Sequence, residues 1–157
     1  MPEIAIAAES PRQESVVALV AALDRYLLEL YPADTCHLLD IAELEAPDLR
    51  FFVARKDGVP VGCAALRVDP TGYGEVKRMY VDPAARGLRV GDRLLARLEE
   101  QARAEGLSAL LLESGIHQHE ALGLYRKAGF TGRGPYACYE ENGVSVFMEK
   151  PLREIVR

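Results

Sequence analysis

Two reversals close together, Lys56-Asp57-Gly58 and Asp69-Pro70-Thr71-Gly72, restrict what this chain can fold into more than any other feature. Asp-Gly favours the tight hairpin turn with positive φ at both central residues, and Asp-Pro-x-Gly is a turn sequence in its own right. The reversals separate residues 51–55, 61–68 and 75–81, so three consecutive antiparallel strands are expected. Beyond them Val90, Leu94, Leu98 and Ala102 recur every four residues, and Gly106 stands where a helix-ending glycine belongs. Residues 107–112 form a short, continuously apolar run, as in a central strand covered on both faces.

The flanks complete the pattern. Residues 4–8 read as a first strand. Ser10, Pro11 and Gln13 supply an N-cap, a proline at the first helical position and a capping glutamine. Val16, Val20, Leu23, Leu27 and Leu30 continue that helix to Pro32, and a short second helix is expected within residues 37–44. Ala121, Leu124, Tyr125 and Ala128 mark a further helix closed by Gly129, and residues 136–141 and 144–149 flank Asn142-Gly143 as a last hairpin. The order βα(α)βββαβαββ describes a mixed α/β chain, its sheet mostly antiparallel and flanked by helices, expected to form one domain over residues 1–157.

Composition removes several function classes. The net charge is −5 and Lys and Arg are scattered, so no basic stripe exists for a phosphate backbone and no nucleic-acid partner is expected. No apolar run approaches bilayer length and residues 1–8 do not read as a secretory leader, so no membrane association and a cytoplasmic location are expected. Cys36, Cys63 and Cys138 lack metal-ligand spacing, so they read as small core residues and no metal is expected.

The stretch from Met79 to Leu95 is a strand, a tight turn and a helix start. Unpaired amides and the helix dipole make such a helix N-terminus an anion site; Gly87 and Gly91 permit close backbone approach, and Arg86 and Arg89 offer charge-assisted bonds to phosphate. On the glycine pattern alone, a basic surface turn capping a core helix is the simpler reading.

The residues Arg86-Gly87-Leu88-Arg89-Val90-Gly91 resemble motif A of the GCN5-related N-acetyltransferase (GNAT) superfamily, Gln/Arg-x-x-Gly-x-Gly/Ala, with Arg89 where the middle glycine usually stands. Arginine disfavours positive φ, so this loop must reach its shape without that glycine's freedom. Residues 118–130 resemble motif B, Asn-x-x-Ala-x-x-Leu-Tyr-x-x-x-Gly-Phe, with Gln118 in the asparagine position and Tyr125, Gly129 and Phe130 in register. The resemblance spans the chain and is specific from about Glu75 to Phe130.

It implies a GNAT-like acyl-CoA N-acyltransferase fold and transfer of acetyl from acetyl-CoA, as cosubstrate, to a small-molecule or peptide amine. By resemblance Met79 offers an amide to the thioester oxygen, Tyr80 and Val81 bind the pantetheine arm, and Arg86, Gly87, Leu88, Arg89, Val90, Gly91 and Asp92 cradle the pyrophosphate, with Gln118 and Tyr125 completing the coenzyme site. Tyr125 is the expected acid for the departing thiolate, although its stripe with Ala121, Leu124 and Ala128 also suits a core tyrosine. Glu75 is the expected base, directly or through water; four residues before Met79, it shares that residue's side of the strand if no bulge intervenes. Glu113 is the rival base, His117 and His119 are conceivable proton carriers, and Arg78, Tyr136 and Tyr139 are conceivable acceptor-side residues. A non-catalytic acyl-CoA-binding domain is the alternative on this scaffold, whereas the lysine P-loop and G-x-G-x-x-G patterns of nucleotide sites are missing. The acceptor, the acyl length and the oligomeric state are not legible; a homodimer through the final hairpin is compatible with the sequence.

Overall fold

The computed structural model describes residues 3–30, 40–137 and 139–152. Strand β1 (Ile4–Ala8), helix α1 (Glu14–Leu30) and the single turn α2 (Ile41–Leu44) come first. Strands β2 (Leu49–Lys56), β3 (Val59–Val68) and β4 (Gly74–Val81) follow, then α3 (Val90–Ala104), β5 (Ala109–Gly115), α4 (His119–Lys127), β6 (Thr131–Arg133) and β7 (Ser145–Pro151). The expected order of elements is the one observed.

Asp57 and Gly58 take φ of 50° and 85°, the two positive values the tight turn requires, and β2 and β3 pair antiparallel across them. At the second reversal Asp69 accepts the amide of Gly72 on its carbonyl and that of Thr71 on its carboxylate, at 3.0 Å each. The sheet runs β1-β2-β3-β4-β5-β7-β6, and among the described residues only β4 and β5 pair in parallel, because α3 carries the chain back between them.

The successive residues Phe51, Phe52, Val53 and Ala54 are all buried because both sheet faces are covered. Phe52 and Ala54 join Ala64, Leu66 and Val76 against Leu94, Leu95 and Leu98 of α3, while Phe51 and Val53 join Cys63 and Ala65 against Val16, Leu19 and Val20 of α1. Leu94 and Leu98 are fully buried, each contributing about 1.5–3 kcal/mol to folding. A third cluster, Leu111, Tyr136 and Phe147, covers the face of β5 and β7 opposite α3.

Three expectations change. Helix α1 begins at Glu14 rather than at Pro11: Ser10 Oγ accepts the Arg12 amide at 3.1 Å and Gln13 Nε2 donates to Glu9 and the Ser10 carbonyl, so the capping residues build a turn ahead of the helix. The second helix is confined to residues 41–44, where Asp40 and Glu43 form a reciprocal capping box; residues 37–39, Pro32 and Cys36 lie outside the described residues. The partner of β7 in the last hairpin is Thr131–Arg133, not residues 136–141, because Tyr136 and Tyr139 turn inward to a buried carboxylate; Cys138 lies outside the described residues.

Candidate active site

A cavity of about 550 Å³ opens where the C-terminal end of β4, the loop after it and the starts of α3 and α4 meet under α1. Met79, Tyr80 and Val81 line it from β4, Arg86, Gly87, Arg89, Val90, Gly91 and Asp92 from the loop and α3, and Gln118 from the N-terminus of α4. The loop is built for a sharp change of direction. The Asp82 carboxylate accepts the Ala84 amide at 2.9 Å and caps a short helical turn started by Pro83. Gly87 then takes φ 85°, and Arg89 takes φ 59°, ψ 30°. The left-handed residue at the usual glycine position is therefore an arginine, and this conformation costs about 1–2 kcal/mol for a residue with a Cβ.

Helix geometry leaves the amides of Val90, Gly91 and Asp92 without carbonyls one turn back, and the first bond of α3 runs from the Arg93 amide to the Arg89 carbonyl at 3.1 Å. The cavity thus meets unpaired donors at the positive end of a four-turn helix, with two arginines beside them. Gly91 lets the far wall come close: a Cβ there would lie 2.9 Å from Leu124 Cδ2.

Strand β4 carries a bulge on the way to the cavity. Cys63 pairs with Tyr80 and Ala65 with Lys77, so Arg78 and Met79 together oppose Ala64, and Arg78 takes φ 54°. Val76, Met79 and Val81 consequently share the α3 face, whereas Tyr80 packs on the α1 side. Glu75 lies on the face away from Met79, which corrects the expectation of a shared side. Arg78 is held by an ion pair with Asp24 of α1 rather than directed into the cavity.

Glu75 is 2 % exposed, yet its carboxylate is fully engaged. Arg67 Nε donates to Oε1 at 3.0 Å; Tyr136 and Tyr139 donate to Oε2 at 2.7 and 2.6 Å, with Lys77 Nζ 3.3 Å away. Burial raises its pKa, but the Lys77 charge and the bonds from Tyr139, Tyr136 and Arg67 outweigh burial and hold the carboxyl below its ordinary value. The group is a weak proton acceptor at neutral pH.

Tyr125 and Leu88 are not among the lining residues. Leu88 packs against the α3 core, and Tyr125, 5 % exposed, sits in the same core with its ring 5.7 Å from Phe130. Burial raises the Tyr125 pKa, so the phenol stays protonated, and no hydrogen bond engages its hydroxyl among the described residues. Gln118 Oε1 accepts the Gly115 amide at 2.7 Å, joining the end of β5 to α4. Glu113 accepts from Ser145 Oγ at 2.6 Å, His119 opens α4, and neither His117 nor His119 lines the cavity. Cys63 donates to the Arg78 carbonyl, and burial pushes its thiol up to about 12, so it is no nucleophile. Among the described residues no metal-binding cluster occurs and no helix is long and apolar enough to cross a membrane.

Sequence reasoning missed Leu23, Tyr26 and Glu120. Leu23 belonged to a recognised apolar helix face, but which part of that face meets the cavity depends on how α1 packs. Ala121 and Leu124 also line it, and their shared face on α4 was the available signal.

Comparisons with known proteins agree with this geometry. Residues 16–130 match the model of the Acetyltransferase (GNAT) family. The IAA acetyltransferase of Azospirillum brasilense is 57 % identical over 153 residues, covering 97 % of this chain and 100 % of that protein. A crystal structure from Klebsiella pneumoniae, provisionally assigned as an acyl-CoA N-acyltransferase, is 38 % identical with a TM-score of 0.81, covering 96 % of this chain and 98 % of the other. The PaiA N-acetyltransferase of Thermoplasma acidophilum, solved in complex with coenzyme A, shares the fold at 19 % identity and a TM-score of 0.73, covering 96 % and 99 %. With nearly three-quarters of its length matched by the family model, and with a glycine-arginine loop placed at a helix N-terminus beside an interrupted strand, this chain belongs to the GNAT family of acetyltransferases.

Proposed function

We propose that the protein transfers the acetyl group of acetyl-CoA to a primary amine, by direct attack of the amine on the thioester in a ternary complex. The observation that supports this reading most is the cavity at the N-terminus of α3, where unpaired amides and Arg86 and Arg89 form a cradle of the right charge for the coenzyme pyrophosphate. The A. brasilense relative's name supports acetyl as the group moved, and coenzyme A in the T. acidophilum structure supports the coenzyme.

Residues 74–76 of β4 pair with residues 110–112 of β5, and no pairing joins the two strands beyond them. The remaining edge of β4 is then open for the pantetheine arm to lie along, as a peptide adds to a sheet, with the Met79 amide directed at the thioester oxygen as charge develops there. We assign the proton for the departing thiolate to Tyr125 on its place in motif B and its uncommitted hydroxyl; burial raises the phenol's pKa and so weakens it as a donor, and the step requires the hydroxyl to reach the cavity that its ring does not line. We assign the proton of the attacking amine to water rather than directly to Glu75, whose carboxylate would have to shed a donor first.

Thiol release from acetyl-CoA, followed over a panel of amino acids, polyamines, aminoalkylphosphonates and peptide N-termini, tests the reading. Amine-dependent release is expected, and Tyr125→Phe is expected to lower kcat about 10²-fold or more when chemistry is limiting. Coenzyme binding with no release on any amine would favour a sensor role, and unchanged turnover of the variant would remove Tyr125 as the acid.

A further inference from the structure

The wall of the cavity carries a contact that the transfer reaction does not use. Arg86, on the loop after β4, reaches across to α4, where its Nε lies 3.1 Å from Glu120 Oε2. Both side chains line the cavity, are 52 % and 72 % exposed, and stand beside Tyr26 of α1, whose phenol feels the charge of each. The Arg86–Glu120 pair therefore spans the mouth through which a polyanionic coenzyme must bring its phosphates.

We propose that Glu120 sets the affinity of the site for coenzyme by holding Arg86 until a phosphate displaces it. The proposal rests on reading this loop as the pyrophosphate cradle. An exposed ion pair is weak, whereas an arginine–phosphate contact is charge-assisted and can be bidentate, so the exchange of partners is favourable. It leaves Glu120 without its cation beside the incoming negative charge, and that penalty is subtracted from coenzyme binding. A site with a neutral residue at position 120 would bind coenzyme more tightly and release the product CoA more slowly. Glu120 thus tunes turnover against affinity.

Calorimetric titration with CoA of the wild type, Glu120→Gln, Arg86→Gln and the double variant separates this exchange from simple repulsion. Glu120→Gln is expected to bind CoA about three- to tenfold more tightly at low ionic strength, the gain shrinking with added salt. Without Arg86 there is no partner to compete for, so the gain from Glu120→Gln is expected to fall to less than half. No gain in Glu120→Gln, while the wild type binds CoA, would overturn the proposal and leave the cradle standing. A gain as large or larger in the Arg86→Gln background would also overturn it, since repulsion alone would then suffice. Absence of CoA binding by the folded wild type would overturn the cradle and the proposal together.

Discussion

Glu75→Gln is expected to lower the stability of the fold by about 3 kcal/mol, a fall in melting temperature of roughly 6–12 °C, readable by chemical and thermal denaturation. The reason is the set of donors around it. Arg67 and Lys77 are themselves mostly buried, at 23 % and 14 % exposure, and two tyrosine hydroxyls converge on the same carboxylate. Removing its charge leaves Lys77 undercompensated and Arg67 dependent on Asp69, 3.1 Å away, both in a poorly solvated position, which is why breaking a buried pair costs far more than breaking a surface one. The amide keeps the shape and part of the hydrogen bonding, so the loss falls at the low end of the range for such pairs.

The pH dependence carries a definite sign. The Glu75 carboxyl is held below its ordinary value near 4.5, so its contribution is fully present above about that pH and is lost as pH falls through the lower folded value. The stability gap between wild type and Glu75→Gln should therefore be widest near neutrality and narrow on acidification. A constant gap, or none, would contradict the described network. Because the carboxylate is assigned a holding role, the pH profile of amine acetylation should keep its shape in this variant.

Gly91→Glu is expected to weaken acetyl-CoA binding about 100-fold or more while the protein remains folded. Position 91 lies in the first turn of α3 and lines the cavity, so a carboxylate there occupies the cradle and repels the pyrophosphate at close range. The steric part is separable, because the one tight contact of the Cβ would be with the flexible end of Leu124, 2.9 Å away, while Val81 Cγ2 would stand at an ordinary 3.7 Å. Gly91→Ala introduces that clash without the charge and should lose about tenfold or less. Equal losses in both variants would assign the effect to packing between α3 and α4 instead of to the charge of the ligand.

How much of this was legible in the sequence depended on whether local chemistry or tertiary packing decided each element. Asp57-Gly58 and the fourfold spacing from Val90 to Ala102 are local signals, and β2, β3, β4 and α3 form where those signals put them. Tyr136 and Tyr139 suggested a strand, yet they are set by the buried Glu75 that they serve, while the true strand, Thr131–Arg133, is short, exposed and devoid of an apolar pattern. The bulge at Arg78 did leave a trace: Val76, Met79 and Val81 break the alternation of two, an irregularity that marks an inserted residue. Of the coenzyme residues inferred from the two motifs, the backbone of β4 and the loop came together around one cavity, because a strand-turn-helix is contiguous in the chain. Leu23, Tyr26 and the Arg86–Glu120 contact were not legible, since each depends on how separate helices pack over the loop.

Calorimetric titration of the wild-type protein with acetyl-CoA, beside ATP, decides whether the loop from Arg86 to Asp92 at the start of α3 is a coenzyme cradle. Saturable binding of acetyl-CoA with one site per chain, and no comparable binding of ATP, is the predicted result. A folded protein that does not bind acetyl-CoA, or that binds ATP equally well, would contradict it.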